Sequence, residues 1–125
     1  MAAEPRHPPL RAGQIVLADW RGDARAKEPN KRRPAVVVED DGLFAPAYPN
    51  VLLVPLTDDS ELAIKALSVA IEPDATNGCT KPCRAVSHLV TATSKHRVRA
   101  TDSRVTQEQL LAIRRQIAFA MGIEA

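Results

Sequence analysis

Residues 30–40 read NKRRPAVVVED. Three cations and a proline run directly into Ala35, Val36, Val37 and Val38. The β-branched run predicts a buried strand over 35–39. The cations ask for a second explanation, because charge is normally kept away from a core edge unless something opposite meets it there. The preceding segment, RGDARAKEPNKRRP (21–34), is a polar loop. A loop of that length in a small domain is usually functional or disordered, and its basic content favours function.

Working outward, GQIVLADW (13–20) reads as a strand, as does NVLLVPL (50–56) with Pro55 near its end. LSVAIE (67–72) alternates and reads as a half-exposed strand, CRAVSHLV (83–90) as a fifth, and RVRA (97–100) as a short sixth. DDGLFAPAYPN, TDDSEL and PDATNGCTKP are rich in turn residues and separate them. AIKA (63–66) carries no clear signal.

The chain ends differently. Thr106 with Gln109 three residues later is a capping-box signature. Leu110, Ile113, Ile117, Ala120 and Met121 follow at helical spacing, with Arg114 and Arg115 expected to project away from that stripe. Gly122 suits the C-terminal cap. Short strands and one closing helix predict a mainly β domain, a small curled sheet or barrel carrying the helix on one side. Pro5, Pro8 and Pro9 mark residues 1–12 as a mobile tail, leaving 13–125 as a single domain.

At 125 residues the chain can bury a core without staples. Apolar residues at 45% and charged residues at 26% are ordinary for a soluble globular protein. Four aromatics offer few platforms for stacking bases, which excludes an aromatic-lined single-strand binder. A net charge of +2 names no partner, but its distribution is uneven. Arg21, Arg25, Lys27, Lys31, Arg32 and Arg33 face only Asp23 and Glu28 in their segment, and Lys81, Arg84, Lys95, Arg97, Arg99 and Arg104 make a second basic stretch. Such asymmetry builds a positive face from a nearly neutral total; solvated loops are the plainer alternative. No apolar run reaches membrane-span length and the N-terminus has no secretory signal, so the expected compartment is the cytoplasm and no membrane partner is expected. Cys79 and Cys83 lack the further ligands of a zinc site and read as incidental thiols in a reducing compartment.

No phosphate loop, dinucleotide fingerprint, zinc motif or nucleophile elbow is present, so neither a metal nor a cofactor is expected. What remains is cations, hydroxyls and two histidines near strand ends, His88 and His96. That set suits cleavage of RNA by attack of its own 2′-OH on the adjacent phosphorus. The substrate brings the nucleophile; the protein supplies a base, an acid and fixed positive charge for the crowded phosphorane. Arginine serves the last role, its planar fork meeting phosphate oxygens bidentately.

Five stretches in order resemble the MazF/PemK family of toxins from bacterial toxin–antitoxin pairs: RAGQIVLADW, KRRPAVVV, VLLVPLT, RAVSHLVTATSKHRV and VTQEQLLAIRRQIAFAMGI. The resemblance spans about residues 11–123. It implies a small SH3-like β-barrel with a C-terminal helix, assembled as a homodimer, with single-stranded RNA along the dimer interface and a cognate antitoxin covering the same surface. It implies that Arg33 contacts and protonates or stabilises the scissile phosphate, that Thr57 helps hold it, and that the loop of residues 21–33 lies beside the RNA groove, making Arg21, Arg25, Lys27, Lys31 and Arg32 expected RNA-binding cations; Arg84, on the same strand face as Val86, is a further candidate. The chain departs from the family pattern at Val86, His88 and Leu89, where some members carry polar groups. His88 is then either a replacement general base, since imidazole titrates in the right range, or a satisfied polar residue under the helix. Two other expectations stand beside the ribonuclease: a toxin of similar fold that inhibits a protein target such as DNA gyrase, and a degenerate relative without activity.

Overall fold

The computed structural model describes residues 9–20, 32–59 and 61–124. Seven strands precede one helix: β1 (Gln14–Ala18), β2 (Arg33–Val37), β3 (Asn50–Thr57), β4 (Ser68–Ile71), β5 (Cys83–Val86), β6 (Thr91–Ser94), β7 (Val98–Arg104) and α1 (Gln107–Ala120). All pairings are antiparallel, and the strand path runs β4-β5-β3-β2-β1-β7. β3 is long enough to serve two partners on its far edge. Asn50 to Leu53 pair with β6, while Leu56 and Thr57 pair with β5.

Among the described residues the hydrogen-bonded path stays open, so the small SH3-like fold is a curled sheet with β4 and β7 at its ends. The loop after β4 meets β7 instead, with the Arg104 N–H donating to the Thr76 carbonyl at 2.9 Å. A short loop contact replaces the ladder that closure would need.

Two apolar clusters occupy opposite faces of β1–β2–β3, because alternate residues of a strand point to opposite sides. Ile15, Val36, Val54 and Leu56 face α1 and meet Ile71, Leu110 and Ile113. Val16, Ala18, Ala35, Val37, Val51 and Leu53 form the second cluster with Leu10, Trp20 and Val98 against it. Burial on both faces explains the unbroken valine run of β2.

The helix begins with the predicted capping box: the Thr106 hydroxyl accepts from the Gln109 N–H, and the Thr106 N–H donates to the Gln109 Oε1. Such a cap stabilises a helix by about 1 kcal/mol. Gly122 follows the last turn at φ +84, a left-handed conformation that glycine adopts without strain. The apolar stripe divides. Leu110 and Ile113 are buried and Ile117 half-buried, whereas Ala120 and Met121 are exposed. Arg114 does not project away as expected: its guanidinium donates to the carbonyls of Val38 and Glu39, both at 3.0 Å, and staples the helix to the end of β2.

Several expected boundaries move, among them that of the strand expected over 97–100, which runs to Arg104. β2 starts two residues early and takes in Arg33 and Pro34, a proline tolerated next to a strand's first residue. The strand expected over 83–90 stops at Val86, a 3-10 turn fills Ser87–Leu89, and Thr91–Ser94 forms an additional strand. AIKA leads into a 3-10 turn at Lys65–Leu67. In the segment read as a tail, Leu10 and Ala12 pack on the core and the Ala12 N–H donates to Asp41 at 2.7 Å. Apolar contact and a charge-assisted bond hold this end of it.

Candidate nucleic-acid interface

Arg33 opens β2 opposite Ala18, exposed, where the buried run has just begun. Thr57 ends β3. β2 and β3 pair as Ala35↔Pro55, Val36↔Val54 and Val37↔Leu53. Continuing that register by two residues brings Arg33 opposite Thr57, just past the last paired residues. The valines and leucines upstream fix both positions on rigid strands, as fixed-charge chemistry requires.

A cleft of about 400 Å³ opens at this place. Ile15, Leu17, Pro34 and Leu56 give it apolar walls; Arg32, Arg33 and Thr57 stand on one side, and Asn77 to Lys81 with Cys83 on the other. The Thr57 hydroxyl oxygen accepts from the Asp59 N–H at 3.0 Å. That bond uses a lone pair and leaves the O–H able to donate to an anion. Asp58, next in the chain, ion-pairs with Lys81 at 2.5 Å, and the carboxylate's hydrogen bond and charge hold the Lys81 ammonium above its ordinary range. Both side chains are mostly exposed, so the pair contributes little to stability. Around the cleft Arg32, Arg33 and Lys81 outnumber Asp58, and an anion is the natural occupant.

The far wall is built by its turn residues. Asn77 is buried; its Nδ2 donates to the Glu72 carbonyl at 2.7 Å and its Oδ1 accepts from the N–H groups of Asp74 and Cys79. Asp74 accepts from the N–H groups of Thr76 and Asn77 and from the Thr76 hydroxyl. The Thr76 N–H first, then the other two donors, hold the Asp74 carboxyl below its ordinary range. Gly78 sits at φ +66, where a Cβ would stand 2.5 Å from the Ser103 Oγ, so this loop lies flush on β7.

Arg84 pairs across the sheet with Thr57 and lines a smaller cleft of about 160 Å³ that shares Thr57, Asp58 and Cys83 with the first. Its Nε donates to the Ser68 hydroxyl at 2.7 Å and its Nη2 to the Ser68 carbonyl at 3.3 Å. The guanidinium is therefore held in place rather than swinging free. The second basic stretch is only partly a surface: Lys95 is buried, its Nζ donating to the Pro46 carbonyl at 3.2 Å.

His88 lines neither cleft. It lies on the 3-10 turn between β5 and β6, beside Ser87, whose hydroxyl donates to Gln116 of α1 at 2.7 Å. Its Nδ1 is buried without a partner among the described residues. The early end of β5 leaves this histidine on a turn packed against α1, and Arg33 and Thr57 line the cleft without it. Arg21, Arg25, Lys27 and Lys31 lie outside the described residues. The Asp58–Lys81 pair and the wall formed by Asn77 to Thr80 were not among the expected site residues. A loop so dense in Asp, Asn, Gly and Pro is the signal that pointed to them. Among the described residues no group of three or more His, Cys, Asp or Glu is gathered to hold a metal ion.

Comparison with known proteins is consistent with this layout. Residues 11–121 match the PemK-like, MazF-like toxins of type II toxin–antitoxin systems. A search of curated proteins gives no match. Among solved structures, the Mycobacterium tuberculosis toxin MazF-mt6 is 18% identical and superposes with a TM-score of 0.67, covering 90% of this chain and 99% of that one. An endoribonuclease from a mycobacterial species, solved with its cognate antitoxin, is 19% identical with a TM-score of 0.70 over 94% of this chain and 99% of that one. MazF from Deinococcus radiodurans is 16% identical with a TM-score of 0.70 over 95% of this chain and all of that one (100%). At these identities the structures establish a shared fold, and the match over nearly the whole chain establishes the kinship: this protein belongs to the PemK/MazF family of toxins of type II toxin–antitoxin systems.

Proposed function

We propose that this chain is a metal-independent endoribonuclease toxin, active in the cytoplasm, that cuts single-stranded RNA by attack of the 2′-OH and is silenced by a cognate antitoxin. The observation that carries the reading is the cleft in which Arg33 and Thr57 meet at the mouth of a rigid sheet. In this reading the Arg33 fork takes two oxygens of the scissile phosphate, and its charge counts most as the phosphorane forms. The Thr57 O–H donates to the same group. Asp58, the one carboxylate among the described residues of this cleft, takes the 2′-OH proton in place of His88, with Lys81 orienting it; the P–O5′ bond breaks as the cyclic phosphate forms, and the leaving oxygen takes a proton from water. Arg32 holds a neighbouring phosphate, and Arg84, fixed by Ser68, faces the strand beyond Thr57. Arg21, Arg25, Lys27 and Lys31 remain the proposed cations of the loop beside the groove. Residues 13–125 act as one toxin domain and assemble as a homodimer.

The test is incubation of the purified chain with a long single-stranded RNA in EDTA, with fragment ends mapped. Discrete cuts ending in 2′,3′-cyclic phosphate support the reading. Intact RNA from a folded and toxic chain refutes it in favour of a toxin that binds a protein target. One observation favours that second reading: Phe119, Met121 and Ile123 at the C-terminal end are 64%, 70% and 55% exposed. Intact RNA from a folded but harmless chain marks a degenerate relative. A solution mass of one chain at micromolar concentration refutes the dimer.

A further inference from the structure

Cys79 and Cys83 are the only cysteines in the chain. Their Sγ atoms stand 3.9 Å apart, and both half-buried residues line the cleft that holds Arg33 and Thr57. They hang from separate anchors. Cys79 follows the Asn77–Gly78 turn, which is bonded to β7 through Thr76 and lies flush on Ser103. Cys83 opens β5, in register with Ile71. Between them Thr80, Lys81 and Pro82 form an exposed rim, and Lys81 reaches Asp58 beside Thr57.

We propose that Cys79 and Cys83 are a modification site for peroxide, which joins them in a disulfide that reshapes this wall of the cleft. A disulfide has sulfurs at about 2 Å, so the pair must close by roughly another 2 Å. Both anchors are held, and the movement falls on Thr80 to Pro82, drawing Lys81 away from Asp58. The two thiols are not equivalent. Burial, then the charge of Cys79 and a hydrogen bond with it, pushes the Cys83 thiol up to about 12. A thiol held up in this way is slow to attack, since the thiolate is the nucleophile. The Cys79 thiolate attacks one peroxide oxygen, the O–O bond breaks, and the hydroxide released becomes water with the proton that Cys79 gave up. Cys83 then attacks the sulfenic sulfur of Cys79; the S–O bond breaks and the Cys83 proton leaves with the departing hydroxide as a second water. Two thiols lose two electrons, and one peroxide is reduced to two waters. The effect on RNA cutting rests on the ribonuclease reading; the disulfide itself does not.

The experiment treats the reduced full chain with hydrogen peroxide and follows intact mass, hydrogen exchange and RNA cutting. The expected result is a mass lower by two hydrogens, one link within the 79–83 peptide reversed by dithiothreitol, slower exchange over residues 77–84, and slower cutting until reduction. Cys83→Ser stops at a sulfenic acid on Cys79 that dimedone traps, and Cys79→Ser stays unmodified. Oxygen adducts on the parent chain without a link, or a link only between two chains, overturn the proposal. A link with unchanged exchange overturns the reshaping of the wall. A reduced chain that never cuts RNA counts against the ribonuclease reading, while mass and exchange still decide the cysteine pair.

Discussion

Replacing Arg33 by alanine isolates the chemistry from the fold. Arg33 is exposed, and its backbone partner across the sheet is Ala18 whatever side chain it carries. No hydrogen bond or ion pair ties its guanidinium to another described residue. Truncation beyond Cβ therefore costs stability no more than about 0.5 kcal/mol, the usual scale for an exposed site. The chemical cost is larger. Removing one preorganised donor from a developing oxyanion lowers the rate by about 10²–10³, or roughly 2.7–4 kcal/mol. Arg32 does not fill the gap, because it precedes the first paired residue of β2 and lacks the fixed strand position opposite Thr57. Arg33→Lys keeps the charge but not the planar fork and recovers only part of the rate. The assay is single-turnover cleavage of a labelled RNA at saturating protein, with thermal unfolding measured beside it. A folded Arg33→Ala protein that cuts at the parent rate refutes the assignment. A large fall in unfolding temperature instead shows that Arg33 serves the fold.

Arg32→Ala acts on binding rather than on the chemical step: affinity weakens, and the slope of log affinity against log salt falls by about 0.7, the value for one phosphate on a single strand. His88→Gln leaves both the cleavage rate and its pH profile unchanged; a displaced acid limb of that profile restores His88 as a base. Gly78→Ala places a methyl 2.5 Å from the Ser103 Oγ at a left-handed backbone position, so unfolding is easier by more than about 1 kcal/mol and cleavage falls with the displaced wall. Asp74 is held below its ordinary range, so its support for the loop is complete above the unfolded value and is lost as pH falls through the lower folded one. The Thr76 and Asn77 amide shifts accordingly stay constant from neutrality to about pH 4 and move only below it; a midpoint at or above that value contradicts the hydrogen bonds drawn here.

Local chemistry made much of this fold readable. The β-branched run at 35–38 could only be a buried strand, and Thr106 with Gln109 marked the helix start. What escaped was decided by distant residues. The strand expected over 83–90 breaks because Ser87 turns to bond Gln116 on α1 and because the first half of β3 takes Thr91–Ser94 as its partner. Arg114 looks like a surface cation until the carbonyls of Val38 and Glu39 are brought beside it. The expected meeting of Arg33 with Thr57 came from family resemblance, and the β2–β3 register supplies a physical reason for it. The cysteine spacing of four says nothing of the facing wall of the cleft, which is supplied by Arg33 and Thr57.

The charge at the mouth of a buried strand has a structural logic of its own. Pairing between β2 and β3 ends at Ala35 and Pro55, a residue with no N–H to continue the ladder. Beyond that point β2 stays with β1, through Ala18 and Arg33, while β3 leaves with β5 through Thr57 and Arg84. The sheet therefore splits where its two branches carry Arg33 and Thr57, and the cleft is the gap of that split. Valines and leucines on both faces hold the branches apart at a fixed spacing, so an anion can enter without the core moving. The loop of residues 72–83 closes the other side, with Cys79 and Cys83 packed against the cluster of Ile15, Val36 and Leu56. Changes in that loop should alter which RNA fits while Arg33 and Thr57 stay in place. Arg33 and Thr57 stand on the branches of the sheet and the far wall on the loop, joined by the Asp58–Lys81 pair. A loop substitution such as Thr80→Ala should shift the pattern of cut sites at an unchanged unfolding temperature, and an unchanged pattern across several substitutions at residues 77–81 would place selection elsewhere.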